Sequence, residues 1–356
     1  VGIPRLEGKV LVTGASGFIG GRLRSALFDA GCDVVALRRP GSPAATVARS
    51  VEADYERIED LERIIAEERP SYVFHAAGVT KGTTYGDFRR GNVMPTQNLL
   101  AAVVRQHPSV ERFVLVSSLA AYGPSATSAP QRESNPPRPI EHYGESKLEA
   151  ERIVERESAE VSWTIVRPCA VYGPGDVDHF TLFQSAMLGV NLFYGNRDHH
   201  VSWIYVDDCV RGIVEAAVHD GTRGKGYFLT HDPPSTWQQF QNEVVRAVGK
   251  PVRTVDLPEQ AAWIAAIAGE VVSRIDDKPR LLNLQKARLG AQQAMTCSGD
   301  AARKDFGFDA ETDLPNGVRR THRWYAENDW YESLGPRDLL TGRSLRRLVG
   351  RLRGRR

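Results

Sequence analysis

The sequence predicts an α/β protein: a doubly wound parallel sheet, with a smaller C-terminal domain interleaved with it. Three observations carry this reading. Short apolar runs alternate with longer amphipathic segments through the first half, a glycine-rich turn joins the first run to the first helix, and the regularity fades after residue 168. "KVLVTG" (9–14), "DVVAL" (33–37), "YVFHAAG" (72–78), "RFVLVSS" (112–118) and "SWTIVRP" (162–168) read as buried strands, because continuous apolar runs of this length suit strands covered on both faces. Strands alternating with helices imply parallel βαβ units, which wind a sheet with helices on both sides. In the second half, "YGPGD" (172–176) and "HDPPS" (231–235) read as breaks. "VDDCVRGIVEAAV" (206–218) and "TWQQFQNEVVRAVGK" (236–250) read as helices, the second with a Ser or Thr cap and a Gly-Lys-Pro stop. The expected organisation is a nucleotide-binding domain over 1–168 with returning elements around 200–230, a substrate domain mainly over 169–335, and a tail over 336–356.

Composition narrows the classes. With 356 residues, 41% hydrophobic and 25% charged, the chain can bury a large core, and disorder as its main theme is excluded. Cys32, Cys169, Cys209 and Cys297 show neither CxxC nor regular spacing, so no disulfide framework or metal site is expected, and a reducing cytoplasm fits. No signal-peptide pattern opens the chain, and no apolar stretch reaches 18 residues. The net charge of +2 conceals an asymmetry: residues 337–356 hold eight Arg and one Asp, which places about +7 there and about −5 on the rest.

In "VLVTGASGFIGGRL", Gly14, Gly17 and Gly20 follow a strand and open a helix. That spacing allows a tight turn, a close approach to a pyrophosphate and close helix–strand packing, with the phosphates at the positive helix N-terminus. The Rossmann reading gives Ser16, Phe18 and Ile19 to the same cofactor turn. Where a carboxylate would hold the ribose hydroxyls of NAD, this chain has Arg38 and Arg39. Guanidinium groups there would clamp a 2′-phosphate, so NADP is expected, with NAD the alternative.

"HYGESKLEAE" (142–151) sets Tyr143 and Lys147 one helical turn apart. Such a pair alone is a weak motif. The i, i+4 spacing puts both on one face, where an ammonium would lower the phenol pKa toward neutrality. The "EAE" that ends the stretch reads as the solvated face of that helix.

Taken in order, "TGASGFIG", "HAAG", "LVSSLAAYG", "YGESK" and "RPCAVYGPGD" resemble an extended short-chain dehydrogenase/reductase, and the resemblance runs over about residues 9–330. It implies that Ser118, Tyr143 and Lys147 form the catalytic set: Ser118 holds the substrate oxygen, Tyr143 exchanges the proton, and hydride passes to or from the nicotinamide. It also implies that Asp54 contacts adenine and that Ala76, Ala77 and Gly78 line the cofactor wall. Asn92 would lie near the nicotinamide end, and Pro168 would touch the cofactor.

The family includes epimerases and dehydratases, so departures from pattern guide the choice. Leu119 and Ala120 follow Ser118 where sugar dehydratases carry an Asp-Glu pair, and Ala170 and Val201 replace the Asn and Arg that contact a nucleotide diphosphate in sugar epimerases. An apolar, steroid-like substrate is therefore expected, as in the 3β-hydroxysteroid dehydrogenase and dihydroflavonol reductase branches. The apolar stretches 259–275 and 187–195 would cover it or form core or interface helices. The expected activity is interconversion of a secondary alcohol and a ketone. A nucleotide-sugar epimerase is the first alternative, and a cofactor-bound scaffold or redox sensor the second.

The tail "RSLRRLVGRLRGRR" places Leu345, Leu348, Val349 and Leu352 on one helical face between arginines. It reads as a peripheral membrane contact, a non-specific nucleic-acid contact or a solvated end, with no specific nucleic-acid partner expected. By the resemblance, the partners are a small-molecule substrate and a second copy, joined through residues 86–106 and the helix of Tyr143. The expected location is cytoplasmic, with peripheral attachment to a membrane's inner face as a variant.

Overall fold

The computed structural model describes residues 2–42, 47–127, 129–158, 160–194, 196–257 and 292–332. The apolar segment 259–275 and the basic tail 336–356 lie outside the described residues.

Seven parallel strands form the main sheet: β1 (Lys9–Thr13), β2 (Asp33–Arg38), β3 (Arg49–Glu52), β4 (Tyr72–His75), β5 (Arg112–Val116), β6 (Trp163–Pro168) and the late-arriving β10 (Lys225–Leu229). Their order is β3-β2-β1-β4-β5-β6-β10, so the winding reverses between β1 and β4. This is the doubly wound sheet the sequence predicts. Strand β3 escapes sequence detection because "RSVE" is an edge strand with little apolar character. A second sheet joins β7 (Ala170–Tyr172), β9 (His200–Tyr205), β11 (His231–Thr236) and β13 (Ala294–Met295), and a two-stranded ladder pairs β8 (Val190–Tyr194) with β12 (Arg253–Leu257).

The pleat explains the layers, because successive strand residues face opposite sides. Val10 and Val12 pack with Leu23 of helix α1 (Phe18–Asp29) and Val210 of α7 (Val206–Val218). Leu11 faces the other way, toward Leu61 of α2 (Ile58–Glu68), Leu99 of α4 (Met94–Gln106) and Ile153 of α5 (His142–Glu157). A third core gathers Phe180 and Phe183 of α6 (Phe180–Met187), Trp203, Phe240 of α8 (Trp237–Val248) and Tyr325. Each such side chain removed from water contributes on the order of 1.5–3 kcal/mol.

Helix α8 begins and ends as its sequence predicts. The Thr236 hydroxyl accepts from the Gln239 amide at 3.1 Å, and Gly249 closes the helix with φ of 66°. "HDPPS" is a correction: it is strand β11, antiparallel to β9, with pairing at His231 and again at Ser235. The two prolines fall in the irregular stretch between those positions, where no ladder amide is required.

Candidate functional site

The glycine turn sits at the reversal of the sheet. Gly14 has φ of 64°, and a Cβ there would lie 2.5 Å from the Ala76 carbonyl oxygen, so only glycine lets the ends of β1 and β4 meet. A Cβ on Gly20 would strike the Gly14 carbonyl. The Gly17 amide donates to Gly14 O at 2.8 Å, and Gly17 then starts α1 with no side chain to cap its first amides and no acidic residue in the first turn. Such a helix start fits a pyrophosphate. Ser16 is exposed and Phe18 and Ile19 are half-buried along this rim.

One buried hydrogen-bonded chain organises the wall behind the turn. The Thr13 hydroxyl accepts from the Ala77 amide at 3.0 Å and meets His75 Nδ1 at 2.8 Å. His75 Nε2 meets the Thr96 hydroxyl at 3.0 Å, and that hydroxyl donates to Asn92 O at 2.7 Å. With the Thr96 proton already committed, the consistent tautomer carries its proton on Nε2 and accepts from Thr13 at Nδ1. Burial first, and the nearby Lys147 charge second, push the His75 pKa down to about 3, so the ring stays neutral.

Asn92 lies in a π-helical turn, Arg89–Val93, before α4. Its Oδ1 accepts from the Val79 amide at 2.7 Å, and its Nδ2 donates to Val79 O at 3.1 Å and to Ser146 Oγ at 2.8 Å. Asn92 therefore clamps the segment after β4 onto α5. Gly78 fits between them: a Cβ there would lie 2.8 Å from Asn92 Oδ1 and 3.3 Å from Lys147 Nζ. The "HAAG" stretch thus ends against the lysine of "YGESK".

Ser118, Tyr143 and Lys147 converge at the exit of β5. Ser118 caps a short 3-10 turn, its hydroxyl accepting from the Ala120 amide at 3.1 Å. Lys147 is buried and donates from Nζ to Val116 O at 2.9 Å. Burial pulls its pKa down to about 8, against the pull of Glu151 in the other direction. Tyr143 packs near Phe88, with ring centroids 6.3 Å apart. Its phenol departs from expectation: burial, opposed by a hydrogen bond with Ser118, pushes its pKa up to about 12. Lys147 directs an N–H to the Val116 carbonyl, and the groups that act on the phenol besides burial are Ser118, which lowers its pKa, and Glu141, which raises it.

The "EAE" expectation fails. Ala150 and Glu151 are buried, at 1% and 2% exposure, while Glu149 is half-buried and accepts from the Tyr85 hydroxyl. Glu151 pairs with Arg167 of β6, whose Nε and Nη2 donate to the carboxylate at 2.9–3.1 Å, and Ser117 Oγ also donates to it. Sequence reading missed Ser117, Glu151 and Arg167. The signal was present, since 143, 147 and 151 repeat every four residues and share a face.

The sequence-predicted residues at the β2–β3 edge are more exposed. Arg38 donates from Nη1 to Ser42 O at 2.7 Å and pairs with Glu52 at 2.5 Å, so its charge is largely committed. Arg39 is exposed, close enough for its charge to act on Tyr55. Asp54 accepts from the Glu56 amide at 3.0 Å, which spends one carboxylate oxygen on a turn. Pro168 is buried at the end of β6, beside Leu229 of β10. Lys81 pairs with Asp178 and so links the segment after β4 to the entrance of α6. Among the described residues, no group of three or more His, Cys, Asp or Glu side chains is placed to hold a metal ion, and no helix is long and apolar enough to cross a membrane.

Comparison with known proteins shows the family to which the chain belongs. The sequence model of the NAD dependent epimerase/dehydratase family matches residues 10–228. A ceramide reductase of Caulobacter vibrioides is 29% identical over 340 residues, covering 91% of this chain and 96% of its own. A 3 beta-hydroxysteroid dehydrogenase/Delta 5-->4-isomerase of Mycobacterium tuberculosis is 31% identical over 264 residues, 68% and 70% of the two chains. Among solved structures, MoeE5 in complex with UDP-glucuronic acid and NAD superposes with a TM-score of 0.73 at 27% identity, covering 90% of this chain and all of the other.

Proposed function

The chain belongs to the NAD-dependent epimerase/dehydratase family, within the extended short-chain dehydrogenase/reductases, and from that premise we propose that it reduces a ketone on an apolar molecule, with NADPH preferred. The observation that carries the reading is the convergence of Ser118, Tyr143 and buried Lys147 at the end of β5. The apolar substrate is supported by the activities for which the ceramide and steroid relatives are named, and by Ala170 and Val201 standing where nucleotide-sugar enzymes carry polar contacts.

NADP(H), when bound, supplies the hydride. Gly14, Gly17 and Gly20 would accommodate its pyrophosphate, and Arg39, the less committed arginine, its 2′-phosphate. Ser118 would donate to the substrate oxygen. Tyr143, with its pKa near 12, is protonated at neutral pH, so in the reductive direction it would donate a proton to an oxygen gaining negative charge. Lys147 would stabilise the phenolate left behind.

The test is to screen ketones of increasing apolarity for oxidation of NADPH and NADH by the purified protein. Turnover of an apolar ketone with NADPH supports the reading. Tightly held NAD with no net consumption, together with conversion of a UDP-sugar, would establish an epimerase instead, the alternative supported by the likeness to a UDP-glucuronic acid complex. Bound cofactor without turnover of any kind would leave a scaffold or sensor.

A further inference from the structure

The exit of β5 is tied to α5 at two consecutive residues. Lys147 Nζ donates to Val116 O, and one helical turn later Glu151 accepts from Ser117 Oγ. The next residue, Ser118, is the one that meets Tyr143. Displacing either tie would move Ser118 relative to the phenol.

Glu151 is itself held. Arg167 binds it through two nitrogens and lies over the Tyr122 ring at 4.8 Å from the centroid. A Cβ on Gly226 of β10 would strike the Arg167 guanidinium, so glycine there makes its room. Buried ion pairs are expensive to desolvate, and apolar residues of equal volume are often as stable. Stability alone therefore does not account for this pair.

The charges around Lys147 point to its use. Glu151 lies on the same helix, Arg167 of β6 lies behind Glu151, His75 of β4 is neutral, and the Tyr143 phenol is uncharged. Of these groups, only the carboxylate favours the ammonium. We propose that Glu151, oriented by Arg167 and Ser117, is the positioning residue of the Ser118–Tyr143–Lys147 set: it keeps Lys147 charged and fixes where β5 presents Ser118 to the phenol. This rests on the oxidoreductase reading, because it concerns the same three residues.

The test follows Lys147 directly. Protein labelled with 13C at lysine Cε is titrated by NMR, with the resonance assigned through Lys147→Arg. An opposite charge at close range shifts a titration by about one pH unit or more, so Glu151→Gln should lower the Lys147 midpoint by about that amount. Because Glu151→Gln strands a buried arginine, the double variant Glu151→Gln/Arg167→Met is measured beside it, each variant first shown to unfold cooperatively. A Lys147 midpoint unmoved in the folded double variant overturns the inference.

Ser117→Ala probes the geometric half. Its kcat for NADPH-dependent ketone reduction should fall about tenfold with KM nearly unchanged, while the Lys147 midpoint stays within a few tenths and Ser117→Thr restores the rate. A Ser117→Ala protein with wild-type kcat overturns that half. The NMR readout needs no substrate. A protein that turns over no ketone while Glu151→Gln still lowers the Lys147 midpoint would overturn the proposed function and support the assigned role of the carboxylate.

Discussion

The two ends of the candidate site are built on opposite principles. At the Tyr143 end, His75, Asn92, Lys147 and Glu151 are each 6% exposed or less, and each is bonded to a neighbouring element. At the Arg39 end, Arg38 and Glu52 pair with side chains 26% and 45% exposed, and Arg39 is exposed. Exposed pairs contribute little individually, whereas breaking a buried one strands a charge or a donor. The end proposed to transfer the proton is thus fixed in geometry, and the end proposed to choose between two nearly identical cofactors is left adjustable. Changes at the first should be severe and shared by both cofactors, and changes at the second mild and selective.

The strongest challenge to this contrast is Tyr143→Phe, which removes the proposed proton donor and leaves the packing. Ketone reduction should fall about 10³-fold with either cofactor, and the melting temperature should hardly move. A variant retaining the wild-type rate would defeat the mechanism.

The pH profile is the next test. Burial lowers the Lys147 pKa from 10.5 to about 8, so the ammonium is lost, and the rate should fall, as pH rises through about 8. For stability the sign is opposite. The folded protein binds fewer protons than the unfolded chain between about 8 and 10.5, so the penalty of burying this charge is fully present below 8 and relieved across that window. Wild type should gain stability against denaturation relative to Lys147→Met as pH rises over that interval. A constant difference between the two proteins would show that Lys147 does not titrate there.

Smaller effects belong to the open end. Arg39→Ser should raise KM for NADPH about tenfold and leave NADH unchanged, the loss of one charge-assisted contact on an exposed side chain. Equal effects on both cofactors would remove the arginine from the phosphate site. Asp54→Asn should raise KM only a few-fold and similarly for both, because one carboxylate oxygen serves the turn at Glu56.

How far the sequence could be read follows from the range of the interactions. The glycine turn, the apolar strands and α8 were legible, since their signals lie within a few residues of one another. The second sheet was not. Its short strands pair across long separations, as β13 does with β9, and their side chains do not alternate cleanly. Arg38 and Glu52 illustrate the same limit at the site. Both were visible, but their pairing depends on β3 lying beside β2, which no local pattern announces. Glu151 was misread for a related reason: a carboxylate in a charged helix looks solvated until a strand 16 residues further on brings an arginine to it.

Gly226 gives that arrangement an order in time. Arg167 is synthesised near the end of the first 168 residues, but β10, which lies beside β6 and leaves space for the guanidinium, arrives only at Lys225–Leu229. As the chain leaves the ribosome, β6 is an open edge until the intervening segment has been made and has turned back. The support behind the corner holding Tyr143 and Lys147 is therefore closed only once residues 169–224 have been made. A fragment cut at residue 168 would retain the whole glycine turn and all three residues of the proposed proton-transfer set, yet lack the strand that closes over their support.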